Sequence, residues 1–300
     1  MEVRHFARAL AVVAILGMTA SGMPSIPAAE PPGIDVGPVP AGERARLGLA
    51  VFYERYASAA GIPIVASGRV RPQAVAEAAW IVERMLARRP DVARALAASP
   101  VRVAVMAHDE FTTDVPEHAD LRPAERWNRR ARGLGATIAR PAVSCGEENL
   151  LCFPGDPYVG ENILIHEFAH TVHEIGLRAV DPTFQKRLEA AFALAKDRAC
   201  WRATYALTNP SEYWAEGVQS WLGCNRTGGR IHGELNSAGA VLEHDPPLAT
   251  LLTEVFGTEP WVYVVPADRP AAGRRHLSGF DPAAAPRFDW AATARSATGR

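Results

Sequence analysis

The sequence predicts a single α+β domain that combines a small mixed or antiparallel sheet with a helical C-terminal half. Hydrophobic residues make up 48% of the 300-residue chain, which is enough to form a packed core. The clearest strand signal is a short apolar segment, residues 101–107, which lies between Pro100 and a polar loop. Elsewhere most apolar residues recur at helical spacing, and several of these segments begin with a proline. We expect the domain to cover residues 43–266.

The first 29 residues have the composition of a cleaved secretory signal peptide. A basic start precedes an apolar stretch, residues 9–18, that is too short to span a bilayer comfortably, and small residues and prolines follow. Ala20-Ser21-Gly22 is the best cleavage match, and we place the cut between residues 20 and 29. An uncleaved membrane anchor is the alternative. We therefore expect a secreted or periplasmic protein with no stable membrane insertion after cleavage.

The remaining elements are predicted from prolines, glycines and apolar periodicity. In the N-terminal half these are a linker over 30–42, a helix over 43–59, a helix from Pro72 to the Arg89-Pro90 stop, the strand over 101–107 and a weaker strand over 136–143. In the C-terminal half they are a helix over 160–175 ended by Gly176, a helix from Pro182, a helix capped by Asn209, a helix over 246–256 and an irregular tail over 267–300.

The most informative motif is His166-Glu167-Phe168-Ala169-His170. Two histidines four positions apart on a helix project from one face, so both imidazoles can bind the same metal ion. The intervening Glu167 lies close enough to act as a general base on a water bound to that metal. This H-E-x-x-H pattern is typical of zinc peptidases, and it predicts one Zn²⁺ per chain. A chance match on an ordinary amphipathic helix is the alternative.

A catalytic zinc site needs a third protein ligand, and Glu212 is the best candidate. His173 would have to reach back along the helix that carries the first two ligands, so we expect it to be a polar-face residue or a neighbour of the site. Glu212 lies on a separate predicted helix, and Glu216 follows one turn later on the same face, where it can orient a ligand imidazole. The alternative is that Glu212 is only a capping residue and Glu216 only a solvated charge.

Tyr205 precedes Glu212 by seven residues, on the loop that enters the same helix. A phenol in this position can donate a hydrogen bond to a developing oxyanion at the open metal position. A tyrosine packed into the loop is the alternative.

The combination of His166–His170 with the segment Tyr205-Ala-Leu-Thr-Asn-Pro-Ser-Glu212-Tyr-Trp-Ala-Glu216 resembles the catalytic region of the anthrax lethal factor type of gluzincin. It is also similar to the secreted clostridial Pro-Pro endopeptidases. The resemblance implies a zincin-like fold, the zinc ligands His166, His170 and Glu212, and Glu167 as general base. It also implies that Tyr205 faces the oxyanion and that Glu216 supports the ligands. It covers roughly residues 160–222, so it carries no information on substrate choice.

Four cysteines in an exported chain favour disulfide bonds. We expect the pairs Cys145–Cys152 and Cys200–Cys224, which are closest in sequence, with free structural thiols at Cys145 and Cys152 as the alternative. A cysteine-rich zinc site is disfavoured because the chain has no C-x-x-C pair.

These features together predict a secreted zinc metallopeptidase that acts on a peptide or protein substrate, with the strand over 136–143 as the sheet edge that binds an extended peptide. The formal net charge of −1 gives no electrostatic argument for a nucleic-acid partner. Two alternatives stay open, a zinc hydrolase of a non-peptide amide in a cell wall or sugar conjugate, and a zincin-fold binding protein without turnover.

Overall fold

A six-stranded mixed sheet forms the centre of the part of the chain that the computed structural model describes, residues 33–229 and 231–290. In chain order the strands are β1 (Gly37–Pro38), β2 (Arg55–Ala59), β3 (Ile62–Ala66), β4 (Arg102–Met106), β5 (Gly133–Leu134) and β6 (Ala142–Gly146). The spatial order is β1-β2-β3-β4-β6-β5. The central strands β3, β4 and β6 are parallel, and the outer strands are antiparallel to their neighbours. The predicted mixed sheet is confirmed.

Eleven α-helices surround the sheet within the described residues. They are α1 (Ala41–Leu47), α2 (Pro72–Leu86), α3 (Pro90–Ala98), α4 (Ala124–Asn128), α5 (Glu147–Leu150), α6 (Ile163–Thr171), α7 (Arg178–Val180), α8 (Phe184–Asp197), α9 (Pro210–Trp221), α10 (Ala238–His244) and α11 (Pro246–Phe256). Every residue of β3, β4 and β6 is buried, because the main helical core covers one sheet face and a smaller apolar cluster covers the other. No helix in residues 33–229 and 231–290 combines the length and the apolar character that a membrane crossing requires.

The predicted helix over 43–59 is wrong beyond α1. Residues 55–59 form β2, which pairs with β3 through a tight hairpin. Ala60 and Gly61 at its turn have φ values of 49° and 80°, a left-handed pair that is compatible with a two-residue hairpin turn. Val51 is one of the apolar residues whose helical spacing favoured the longer helix, but 90% of it is exposed to solvent.

The sheet edge beside the C-terminal helices also differs from the prediction. Only residues 142 and 143 of the predicted 136–143 strand are extended in β6, which continues to Gly146 in the sheet interior. The edge strand is β5. It lies in a segment whose two glycines, Gly133 and Gly135, indicate an interruption of regular structure. Glycine is required at position 133 because an added Cβ would lie 2.4 Å from Cγ2 of Ile163 on α6.

Helices α2, α9 and α11 and strand β4 agree with the predicted elements to within a few residues. The predicted helix over 160–175 starts later, at Ile163, and continues past Thr171 as a π-helical turn over Val172–Leu177. Gly176 does not end this helix. An added Cβ there would lie 2.7 Å from Cγ1 of Val92, so the glycine allows close packing on α3.

The C-terminal segment after Pro266 consists of 3₁₀ turns that pack against α2, where buried Arg269 pairs with Glu77. The predicted linker contains β1 and the start of α1. The predicted signal peptide over 1–29 lies outside the described residues, as do residues 291–300 of the predicted tail.

Candidate metal centre

Helices α6 and α9 pack directly against each other and carry the residues of the candidate site. The indole Nε1 of buried Trp214 on α9 donates a hydrogen bond of 2.9 Å to the carbonyl oxygen of Ala169 on α6. Asn209 caps α9 as predicted, because its Oδ1 accepts a hydrogen bond of 2.9 Å from the backbone N–H of Glu212. The Glu212 side chain, however, points to α6 rather than back to the cap.

The structure brings His166, His170 and Glu212 together as the sequence spacing predicted, with one possible ligand atom of each within 4.8 Å of the others. Glu212 Oε2 lies 3.1 Å from Nε2 of His166 and 3.4 Å from Nε2 of His170, and the two Nε2 atoms are 3.2 Å apart. Ligand atoms about 2.0–2.1 Å from a tetrahedral metal lie about 3.3 Å from one another. The three donor atoms therefore have the spacing that a tetrahedral metal requires.

The tautomer of His166 is fixed by Gln219. The Gln219 amide donates from Nε2 to the carbonyl oxygen of Asn162 at 3.2 Å, so its Oε1 faces Nδ1 of His166 at 2.8 Å and accepts a hydrogen bond from it. When this imidazole is neutral, its Nε2 carries a lone pair. Nδ1 of His170 lies 2.8 Å from Oγ of Ser211, which can donate or accept. Two imidazoles and a carboxylate therefore converge on one point, and with both imidazoles neutral they form a donor set for a metal cation.

The electrostatics of this cluster favour positive charge. Burial alone would lower the pKa of His166, but the hydrogen bond to Glu212 and the charges of Glu167 and Glu216 raise it to about 9. Burial alone would raise the pKa of Glu212, but the hydrogen bonds from the two histidines hold it well below its usual range. No arginine or lysine among the described residues forms an ion pair with Glu212.

Glu167 lies beside the three donor atoms and faces β5. Its carboxylate accepts a hydrogen bond from the backbone of Gly135, and its pKa is raised by burial, although the His166 and His170 charges act in the opposite direction. An added Cβ on Gly135 would lie 2.9 Å from Cβ of His170. The missing side chain of Gly135 is therefore what lets this segment approach the carboxylate.

Tyr205 lies in a 3₁₀ turn before α9, and its hydroxyl donates a hydrogen bond of 3.1 Å to Oε1 of Glu212. The side chain is 38% exposed and lines the cleft, so it is not a packed loop aromatic. Burial and the nearby Glu212 carboxylate raise its pKa, which keeps the phenol protonated and able to donate.

Glu216 is buried next to the candidate ligands, but it is not the closest partner of the His166 imidazole. Its Oε1 lies 3.8 Å from Nδ1 of His166, whereas Gln219 Oε1 lies 2.8 Å away. Glu216 instead accepts hydrogen bonds of 3.1 Å from His232 and Asn225. Sequence reasoning missed Gln219, although its position three residues after Glu216 places it on the same helix face.

His173 does not reach the metal centre. It is buried, its Nε2 lies 2.8 Å from Oε1 of Gln185, and its ring packs near Phe184 and Trp214. It is therefore a core residue, and burial lowers its pKa.

The predicted disulfides Cys145–Cys152 and Cys200–Cys224 are wrong for this structure, because all four cysteines are free thiols. Cys145 is buried in β6, and α5 separates it from exposed Cys152. Cys200 contacts the carbonyl of His244 at the end of α10, whereas the carbonyl of Cys224 accepts from Asn162 at the start of α6. Cys200 and Cys224 therefore contact the ends of two different helices, α10 and α6.

The site opens into a cleft of about 670 Å³. Its walls include α6, α9, Tyr205 and the segment from Gly133 to Ala136, together with Ile231 and His232. Of the predicted 136–143 strand, only Ala136 and Thr137 line this cleft, and the edge strand beside it is β5. In comparisons with known proteins, no family model and no curated protein matches this chain.

Proposed function

We propose that this protein is a secreted zinc-dependent metallopeptidase with a zincin-like fold. The observation that carries the proposal is the convergence of three metal-type donor atoms from His166, His170 and Glu212 beside the half-buried carboxylate of Glu167. Secretion is proposed from the first 29 residues alone.

The residues present fit a zinc ion in their donor types, spacing and imidazole tautomers. When bound, zinc supplies a Lewis acid that acidifies a water and polarises a carbonyl. Glu167 takes the proton of the attacking water and passes it to the leaving amine, and its raised pKa makes it a stronger base than an ordinary carboxylate. Tyr205 turns its hydroxyl from Glu212 towards the carbonyl oxygen of the cleaved bond, which becomes negatively charged.

The edge of β5 positions an extended peptide across these groups. Among the described residues, β5 has a strand neighbour on only one side, and its residues line the cleft. Such an edge binds a peptide through main-chain hydrogen bonds, whatever the side chains are. This favours a peptide substrate.

The test is to incubate the purified protein with a diverse peptide library and with cell-wall fragments, and to identify products by mass spectrometry. We expect peptide cleavage that a chelator abolishes and zinc restores. Glu167→Gln should lower turnover by about 10²–10⁴-fold while zinc content stays the same. Cleavage of cell-wall fragments but not of peptides would contradict the proposed substrate, and full activity of Glu167→Gln would contradict the general-base role.

A further inference from the structure

Arg130 is an exposed cation at the rim of the cleft. Its guanidinium makes no hydrogen bond or ion pair with residues 33–229 or 231–290, and it lies 5.3 Å from the ring centroid of Trp127. The backbone beneath it is held in place, because the Tyr158 hydroxyl donates to the Arg130 carbonyl at 3.1 Å and the Arg130 N–H donates to the Trp127 carbonyl at 3.3 Å. Arg130 is therefore a positioned cation that lacks an anionic partner.

Three carboxylates line the cleft in addition to Glu167 and Glu212, and each of them has a basic partner. Glu161 pairs with Arg226 at 2.7 Å, Glu174 pairs with Arg178 at 2.7 Å, and Glu216 contacts His232 at 3.1 Å. Each of these three carboxylates therefore has a basic partner within the chain. The positive charge at Arg130 is left for a ligand.

The Arg130 side chain lines the same cleft as the proposed reacting groups. Glu167, Tyr205 and Glu212 are all part of the lining of this cleft. A substrate carboxylate that reaches Arg130 would therefore belong to a residue near the scissile bond.

The direction of β5 gives the side of that bond when the peptide pairs antiparallel with it, and antiparallel is the sense in which β5 pairs with β6. Arg130 precedes the N-terminal end of β5 by three residues. A peptide that pairs antiparallel with β5 has its C-terminal part at this end. Building on the proposed function, we propose that Arg130 binds a substrate carboxylate on the C-terminal side of the scissile bond, either an Asp or Glu side chain or a free C-terminus.

The test compares matched peptides that differ by Glu against Gln at each position after the cleaved bond, and by a free against an amidated C-terminus. We expect kcat/KM to be about 3–10-fold higher for the acidic member, and the preference to shrink at high salt. Arg130→Ala should remove the preference and Arg130→Glu should reverse it. Arg129→Ala is the matched control, since it removes a neighbouring exposed charge that does not line the cleft.

The peptide arms identify the source of the carboxylate. A preference that follows the side chain assigns Arg130 to an acidic residue, and one that follows the free terminus assigns it to the C-terminus. Equal kcat/KM for all pairs, or an equal loss of preference in Arg129→Ala, would overturn the inference and leave the proposed function intact.

Binding of the same peptides to the Glu167→Gln variant, measured by calorimetry, gives a readout that needs no turnover. Tighter binding of acidic peptides that depends on Arg130 supports the inference even if wild-type protein cleaves nothing. If no peptide is cleaved and none binds, both proposals are wrong.

Discussion

Glu77 on α2 and Glu212 on α9 are both largely removed from solvent, and both lie beside histidines. Glu77 receives two hydrogen bonds of 2.5 and 2.8 Å from Arg269 and a third contact of 2.7 Å from His276. Arg269 itself lies over the ring of Trp80, 4.1 Å from its centroid. The Glu212 carboxylate lies 3.1 Å from the imidazole of His166 and 3.4 Å from that of His170, and no arginine among the described residues pairs with it.

The difference lies in the source of the compensating charge. At Glu77 the chain supplies its own cation, which attaches the C-terminal segment to α2 and completes the ion pair. At Glu212 the partners are two imidazoles, which are neutral unless protonated, so the compensating charge must come from a proton or a metal ion. On the proposed function, the same residue types serve stability in one cluster and metal binding in the other. Three changes test this contrast.

The largest expected effect is on turnover at the Glu212 cluster. Tyr205→Phe removes the hydroxyl that faces the cleft, and loss of one oxyanion donor should lower kcat by about 10²–10³-fold. Zinc content and thermal stability should stay the same. Tyr158→Phe, a second phenol that lines the cleft, is the control and should lose less than about tenfold. A normal rate for Tyr205→Phe would make this tyrosine structural.

A smaller effect is expected when an imidazole loses its orienting partner. Gln219→Ala should weaken zinc binding by about 10–100-fold, measured by chelator competition, because His166 is no longer held in the ligand tautomer. Gln185→Ala is a matched control, since its Oε1 lies at the same 2.8 Å distance from the core residue His173. Equal zinc affinity in the two variants would contradict the role of Gln219.

The smallest effect on the metal centre is expected from the Glu77 cluster. Glu77→Ala leaves the buried Arg269 without an anionic partner and should lower the free energy of unfolding by about 3–5 kcal/mol in urea denaturation, with zinc affinity unchanged. The double change Glu77→Leu and Arg269→Met removes both charges and should recover part of that stability. A loss of zinc affinity in folded Glu77→Ala would mean that the two clusters are not independent.

Local patterns allowed the ligand-bearing helices to be predicted. The four-residue spacing of His166 and His170 and the Asn209-Pro210 helix start are signals within single segments, and the structure agrees with both. The β2–β3 hairpin was missed because the apolar residues before it also fit helical spacing. The disulfide pairs were wrong because closeness in sequence does not measure the separation of two side chains in the fold. Helices α5 and α9 lie between the expected partners, and free thiols at Cys145 and Cys152 had been the alternative.

Apart from the contact of Glu212 with His166 and His170, the following contacts between distant segments were not predicted from the sequence. Gly133 and Gly135 indicate a chain breaker, and only the packing of β5 on α6 shows why side chains are excluded there. Gln219 has no motif of its own, and its role depends on the crossing of α6 and α9. The unpaired charge of Arg130 likewise becomes visible only when the other cleft charges have been assigned to partners.

The most direct test of the account is the zinc content of the purified protein, measured by inductively coupled plasma mass spectrometry alongside Glu212→Ala and Glu216→Ala. We expect one zinc per chain in the wild type, a near-complete loss in Glu212→Ala and a smaller loss in Glu216→Ala. Zinc retained at full stoichiometry in folded Glu212→Ala, or absent from wild-type protein supplied with the metal, would contradict the central claim.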